Sequence, residues 1–358
     1  MQFKVKPVSV LILLLGSALL SGCHVAPAHS QGPPPPGLTS NNANSAAVKP
    51  PAFNADFAFT MLKDQVAFGP RVLGTTAHHK CLAFLTKEMK KYADSTVLQQ
   101  FKYKNLRVTN IIGVINGKGR NKPSKHPILL LAHWDTRPVA DGPNSTATKD
   151  GPFIWGANGW NRIDPIPGAN DGASGVGVLL ELARMFHKNP PASGVLLLLD
   201  DGEDYGDFRA DGGKGDGVVL GAEYFATHYQ DNPVFGQPAE GILLDMIGGK
   251  DMKIYPEVNS MSYDPDLCNQ IFQIADSLGY NDIFSQDQQV DVDDDHITIN
   301  EQGHIPTIDL IQPLPGPGSP PGSYKPWHTI HDDVAHCSKK SLEAVGNTVA
   351  TYIYSQSS

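Results

Sequence analysis

The 358-residue chain has only four cysteines, too few for a disulfide scaffold or a cysteine-rich zinc module. It has no excess of basic charge either. Lys and Arg number 28 against 37 Asp and Glu, a formal net charge of -9, which removes the electrostatic basis for nucleic-acid binding. No hydrophobic run is long enough to span a bilayer: that from Val8 to Leu20 falls short of the roughly 20 residues needed. Residues 53–358 contain neither a second linker nor an internal repeat, so they read as one domain. What the chain does have is core material, 40% hydrophobic against 18% charged residues, the balance of a globular protein. Its 13 His and many Asp leave a His/carboxylate metal site open.

The N-terminus carries an address. Lys4 and Lys6 precede the apolar run, and Leu20-Ser21-Gly22-Cys23 follows it. This order resembles a bacterial lipoprotein signal, residues 1–22, after which Cys23 is lipidated and anchors the chain to a membrane. An ordinary secretory signal with an incidental cysteine is the alternative. Residues 23–52, with Gly-Pro-Pro-Pro-Pro at 32–36 and an Asn/Ser/Ala-rich patch, cannot bury enough apolar surface to fold. They read as a tether. His24 stands after Cys23, where an Asp would favour inner-membrane retention, so the expected place is the outer membrane of a bacterial envelope, facing the periplasm. Cys81, Cys268 and Cys337 form at most one disulfide; which pair, or none, stays open, and small buried residues are the plainer reading.

Apolar runs bounded by turn residues read as buried strands at Ile128–Ala132, Val195–Leu199, Ile242–Leu244 and Ile305–Ile311, with Asn110–Ile115 nearer an edge. Helical patterns lie at Phe53–Phe68, His78–Tyr92, Val176–His187, Ala222–Tyr229, Leu267–Leu278 and Leu342–Tyr354. The alternation predicts an α/β three-layer sandwich, a central mixed, mostly parallel twisted sheet with helices on both faces. In such sheets a site lies beyond the carboxyl ends of the strands, and chemistry gathers there. Leu129–Ala132 runs into His133-Trp134-Asp135, and a Gly-rich turn carrying Asp171 opens a helix. Leu196–Leu199 runs into Asp200-Asp201-Gly202-Glu203-Asp204, and Leu243-Leu244 into Asp245. Asp293-Asp294-Asp295-His296 and Trp327-His328-Thr329 read as two further loops. Buried carboxylates are costly unless paired or bound to a cation, and acid with imidazole suits zinc.

This ordered set resembles the zinc-peptidase superfamily that includes aminopeptidases and animal-type glutaminyl cyclases. The likeness runs from Phe68-Gly69-Pro70-Arg71 to the last helix. It implies Asp171, Asp204 and His328 as zinc ligands and Glu203 as the proton shuttle. His133 and Asp245 match positions that complete a second zinc site in the aminopeptidases, with Asp171 bridging. Asp204 stands where animal members commonly have Glu, and a shorter ligand demands a closer backbone or a different tilt. Ala132 replaces a cysteine of the animal cyclases, so their disulfide is not implied.

The Asp294-Asp295-His296 and Trp327-His328-Thr329 runs, with Glu203-Asp204-Tyr205-Gly206, look most like the cyclases. The activity implied is conversion of N-terminal glutamine of peptides or proteins to pyroglutamate with loss of ammonia. One zinc per chain polarises the γ-amide, and Glu203 moves the proton. Asp295 and Asp245 are expected to hold Glu203 or the reacting centre. Trp327, His133 and Asp135 are expected around the substrate pocket, Trp327 as an apolar wall or else a core residue, and Asp135 as the group orienting His133 or a neighbour, or else as a helix cap or turn residue. The alternative is a two-zinc aminopeptidase, with Glu203 as base for an attacking water. A non-catalytic peptide-binding lipoprotein is the third reading. The segment Asp141–Pro167, with Trp155 and Trp160, reads as a loop, either a pocket roof or surface decoration. His78 and His79 read as structural, and His331 and His336 as exposed.

Overall fold

The computed structural model describes residues 50–145, 164–206 and 216–356, together with the backbone of 153–156 and 159–162. The expected signal, Cys23 and the expected tether up to residue 49 lie outside the described residues.

Six strands form one sheet in the order β1 (Ser95–Tyr103), β2 (Leu106–Ile115), β6 (Val195–Asp200), β3 (Ile128–His133), β7 (Glu240–Asp245), β8 (Thr307–Ile311). The last four run parallel; β1 and β2 are antiparallel additions at one side. The four expected buried strands, β6, β3 and β7 in the interior and β8 at one edge, and the mixed, mostly parallel sheet are therefore as expected. Asn110–Ile115 is part of β2, one strand in from the edge. The true edge, β1, escaped sequence reading because its residues alternate between exposed and half-buried and contain no continuous apolar run.

Side chains of each central strand divide between two faces, as a period of two requires. Leu130, Ala132, Leu197, Leu199, Ile242 and Leu244 pack against α1 (Ala55–Val66), α2 (Thr76–Tyr92), α3 (Ala173–Lys188), α6 (Pro265–Ser277) and α8 (Lys339–Ser355). Leu129, Leu131, Leu196, Leu198 and Leu243 face the other way, toward α4 (Leu220–His228) and α7 (Asp295–Glu301). That makes three layers. Short helix α5 (Val258–Tyr263) and the hairpin β4 (Phe153–Gly156) and β5 (Gly159–Arg162) complete the described elements. The segment expected as an uninterrupted loop thus contains paired strands, and the Trp155 and Trp160 side chains lie outside the description.

Register brings the chemistry together. In the parallel ladder His133 pairs with Asp200, and Asp245 ends β7 one strand away. α3 must start close under these ends, and Gly175 allows it. A Cβ there would overlap Leu244 O and stand 2.8 Å from Ala132 Cβ. Gly175→Ala is therefore expected to cost about 1–3 kcal/mol by overpacking, measured as a lower denaturation midpoint with an unchanged slope.

Candidate metal centre

Asp171 sits in the bend before α3, where Gly168 (φ 66°) and Gly172 (φ 95°) adopt left-handed backbone that glycine takes without steric cost. The Asp332 carboxylate accepts the N–H groups of Asn170 at 2.9 Å and Asp171 at 3.1 Å, and Tyr324 donates its hydroxyl to it at 2.6 Å. The fully buried Arg71 guanidinium donates to the carbonyls of Trp134, Pro167 and Gly168, tying the His133 loop to the Asp171 loop. Beyond β6 the chain bends at Gly202 (φ 79°). Asp135 accepts the N–H of Glu203 at 3.1 Å and of Asp204 at 3.3 Å. Asp201 turns away, to His78 Nε2 at 2.9 Å and the Thr109 N–H at 2.7 Å. His78, stacked on Trp134 with centroids 4.4 Å apart, is structural as expected, although it braces the acidic loop from 123 residues away.

Six side chains then converge. His328 Nε2 lies 3.1 Å from Asp204 Oδ1 and 3.4 Å from Asp171 Oδ2. His133 Nε2 lies 3.1 Å from Asp171 Oδ1 and 3.2 Å from Asp245 Oδ1. Two triads, Asp171/Asp204/His328 and His133/Asp171/Asp245, each keep their ligand atoms within 4.8 Å of one another and share Asp171. Glu203 stands beside them, 3.8 Å from His133 Nδ1.

Crowding of acids perturbs the groups. Burial, then the Asp204 charge, pushes Asp171 up to about 6 and Glu203 well above the usual carboxyl range. Burial works the same way on Asp204, but His328 and then Arg137 hold it down to about 2. His328 rises to about 9: burial opposes this, and Asp204 and Asp141 outweigh it. Asp171 Oδ2 and both Asp204 carboxylate oxygens are buried without a hydrogen-bond donor. Two carboxylates and an imidazole with orphaned oxygens at one point are a fitting donor set for zinc with an open position.

A cleft of about 340 Å³ opens onto this centre. Asp171, Glu203, Asp204, Asp245, Asp294 and His328 supply polar wall; Met246, Val292, Ile311, Leu314 and Trp327 supply apolar wall. The Trp327 ring stacks on the His328 ring, centroids 3.9 Å apart. Three expectations need correction. His133 and Asp135 do not line the cleft; at 2% and 0% exposure they stand behind it, His133 holding Asp171 and Asp245, with Asp135 Oδ1 3.4 Å from His133 Nδ1. Asp295, expected to hold Glu203 or the reacting centre, is absent from the cleft wall, and neither of its oxygens is hydrogen-bonded to Glu203. The run 293–296 is loop only through Asp294, which caps α7 by accepting the Asp295 N–H at 2.6 Å, and it is Asp294 that faces the cleft. Asp295, fully buried, turns to Asp200, itself fully buried. His331 is exposed and His336 half-buried, paired with Asp333 at 2.9 Å.

Sequence reasoning missed Arg137 and Asp141. They lie four residues apart just past His133-Trp134-Asp135, and opposite charges at that spacing in an otherwise apolar stretch were the available signal.

Residues 110–353 match the family model of Peptidase family M28. The chain belongs to this family. Among solved M28-like structures, a glutaminyl cyclase of Bacteroides thetaiotaomicron bound to N-acetylhistamine is 37% identical, with 86% of this chain and 99% of that one covered and a TM-score of 0.73. A leucine aminopeptidase precursor from Bacteroides thetaiotaomicron VPI-5482 is 36% identical over 86% and 98% of the two chains, TM-score 0.73. The glutaminyl cyclase of Tannerella forsythia is 34% identical over 86% and 100%, TM-score 0.72. The chain spans less than half the length of the curated relatives it matches. Another similar structure, from Parabacteroides distasonis, is of a Zn-dependent exopeptidase, in keeping with the donor set described above.

Proposed function

We propose that this M28 protein is a glutaminyl-peptide cyclotransferase with one zinc, acting on peptides or proteins with N-terminal glutamine. One observation carries the reading. Among the buried carboxylate oxygens without a donor, three, Asp171 Oδ2 and both of Asp204, meet at the triad with His328 and border the cleft. In the second triad His133 Nε2 is hydrogen-bonded to Asp245 Oδ1 at 3.2 Å, and neither Asp171 Oδ1 nor Asp245 is among the donorless oxygens. That difference supports one cation at the Asp171/Asp204/His328 triad, and the likeness to solved cyclases covered almost end to end supports the reaction.

Asp171, Asp204 and His328 would hold the zinc, which when bound would supply an electrophile for the side-chain amide of the substrate. The protein's own groups do the rest. Trp327 and Ile311 wall the cleft on its apolar side and exclude water from the amide. The nucleophile is the substrate's α-amine, whose pKa of about 7.7–8.0 leaves a neutral fraction available. Glu203, whose proton affinity is raised by burial and by Asp204, takes a proton from that amine at its carboxylate oxygen and returns it to the departing ammonia. Asp245, hydrogen-bonded by His133 at 3.2 Å, and Asp294 flank the amine's position. Asp294 is raised well above the usual carboxyl range, by burial and then by Asp245.

Ammonia release from a Gln-initiated peptide, run beside cleavage of a leucine amide, tests the reading; ammonia without leucine release is the expected outcome. Elemental analysis is expected to find one zinc per chain. Two zincs, both needed for leucine-amide cleavage, would establish the aminopeptidase reading, in which the His133/Asp171/Asp245 triad would hold the second ion. N-acetylhistamine is expected to compete with the glutaminyl substrate.

The envelope location remains part of the proposal, with Cys23 as lipid anchor and residues 23–52 as tether to the domain at 53–358. Cys23→Ser is expected to move the protein from the membrane to the soluble fraction with its activity intact.

A further inference from the structure

The proposed reaction leaves one buried ion pair unused. Arg137 is 3% exposed and grips Asp141 with two parallel bonds, Nε to Oδ1 at 2.7 Å and Nη2 to Oδ2 at 2.9 Å. This fork-to-carboxylate geometry is the strong and directional form of the pair. Both partners reach onward. Asp141 Oδ1 faces His328 Nδ1 at 3.6 Å, the ring nitrogen opposite the one that meets Asp171 and Asp204. Arg137 Nη1 donates to the Asp204 carbonyl at 3.2 Å and lies 3.5 Å from Asp204 Oδ1.

We propose that the Arg137–Asp141 pair is a positioning unit for the metal centre, fixing His328 and Asp204 together so that the short Asp204 side chain serves as a ligand. An imidazole ligand needs a partner for its second nitrogen to fix its tautomer and direction, and Asp141 is placed to be that partner. His328 has a left-handed backbone (φ 52°), uncommon for a residue with a side chain. It is held there by the same segment, Gly142 N–H and Ser145 Oγ both donating to the His328 carbonyl, at 2.9 and 2.8 Å. Gly142 must be glycine for this approach, because a Cβ would overlap the Trp327 carbonyl oxygen. On the other side, the Asp204 peptide is drawn in from both ends, its N–H by Asp135 and its carbonyl by Arg137. That fixes the backbone from which a carboxylate one methylene shorter than Glu extends. Arg137 also neutralises Asp141, which would otherwise add a further negative charge to a buried acidic centre.

The inference rests on the metal reading and not on the choice between cyclisation and peptide cleavage. The test is zinc affinity, measured on the full chain by competition with a chromophoric chelator, for the wild type, Asp141→Asn, Arg137→Lys and the double variant. Asp141→Asn keeps the shape, and Arg137→Lys keeps the charge but loses the fork. Each single change is expected to weaken zinc binding about 10–100-fold, and the double variant no further than the worse single, because the pair acts as one unit. Cobalt substituted for zinc is expected to show a shifted visible spectrum in both singles, a change in ligand field that a merely structural role would not produce. Asp204→Glu, with its extra methylene, is expected to recover part of the lost affinity in the Arg137→Lys background. Zinc affinities equal to wild type, or losses that multiply in the double variant, would overturn the proposal. A wild-type chain that binds no zinc would overturn the metal reading instead.

Discussion

Glu203→Gln is expected to lower turnover by about two to four powers of ten, the usual worth of a positioned acid/base group, while zinc stays bound. The substitution keeps size and hydrogen-bonding capacity but removes the basic oxygen. Asp135 holds the backbone N–H of residue 203, so the loop geometry does not depend on the Glu203 side chain. The metal contact belongs to Asp204, whose Oδ1 lies 3.1 Å from His328 Nε2. The Michaelis constant is therefore expected to change little. Steady-state kinetics with metal analysis on the same sample decide it. If zinc were lost and excess metal restored turnover, Glu203 would be the ligand and Asp204 its neighbour.

Asp171→Asn is expected to abolish zinc binding and turnover together, because Asp171 is the one residue common to both triads. Its two oxygens face different imidazoles, Oδ1 toward His133 and Oδ2 toward His328, and an amide offers an acceptor to one of them only. Folding is expected to survive. The N–H of residue 171 is held by Asp332, and removing one buried charge eases the crowding that pushes Asp171 up to about 6. Thermal unfolding separates the two effects. Metal-free wild type and variant are expected to melt alike or with the variant higher. Zinc at a hundredfold excess over its dissociation constant is expected to add about 2.7 kcal/mol to the wild type alone. A variant that still gains stability from zinc would show that the other triad members suffice.

The central strands were legible because each is a short apolar run buried on both faces, such as Leu129–Ala132 and Leu196–Leu199, and burial on both sides leaves a continuous signal. β1 was not, since Ser95–Tyr103 is a half-covered edge. The order of site residues was legible for a related reason. A parallel strand ends where its apolar run ends, and the next residues, His133, Asp200 and Asp245, necessarily stand at the carboxyl edge of the sheet. What stayed hidden was orientation among neighbours. Asp294 and Asp295 are adjacent and chemically identical, yet one lines the cleft and the other is buried against Asp200. Asp294 is the extended N-cap and Asp295 the first helical residue, so their side chains leave the chain in different directions, and the docking of α7 makes the choice. Arg71, Arg137, Asp141 and Asp332 were equally hidden as parts of the centre, because their partners lie on segments distant in the chain.

By itself, then, the sequence determined the strand and helix segments, the sandwich class, and the kinds of side chain delivered to the sheet's carboxyl edge, all through local hydrophobic patterning and chain order. Only the tertiary structure decided which oxygens are left without donors, which imidazole meets which carboxylates, and which acid faces the cleft. Those are properties of distances between segments remote in sequence. Packing sets such distances to a few tenths of an ångström, and periodicity does not record them.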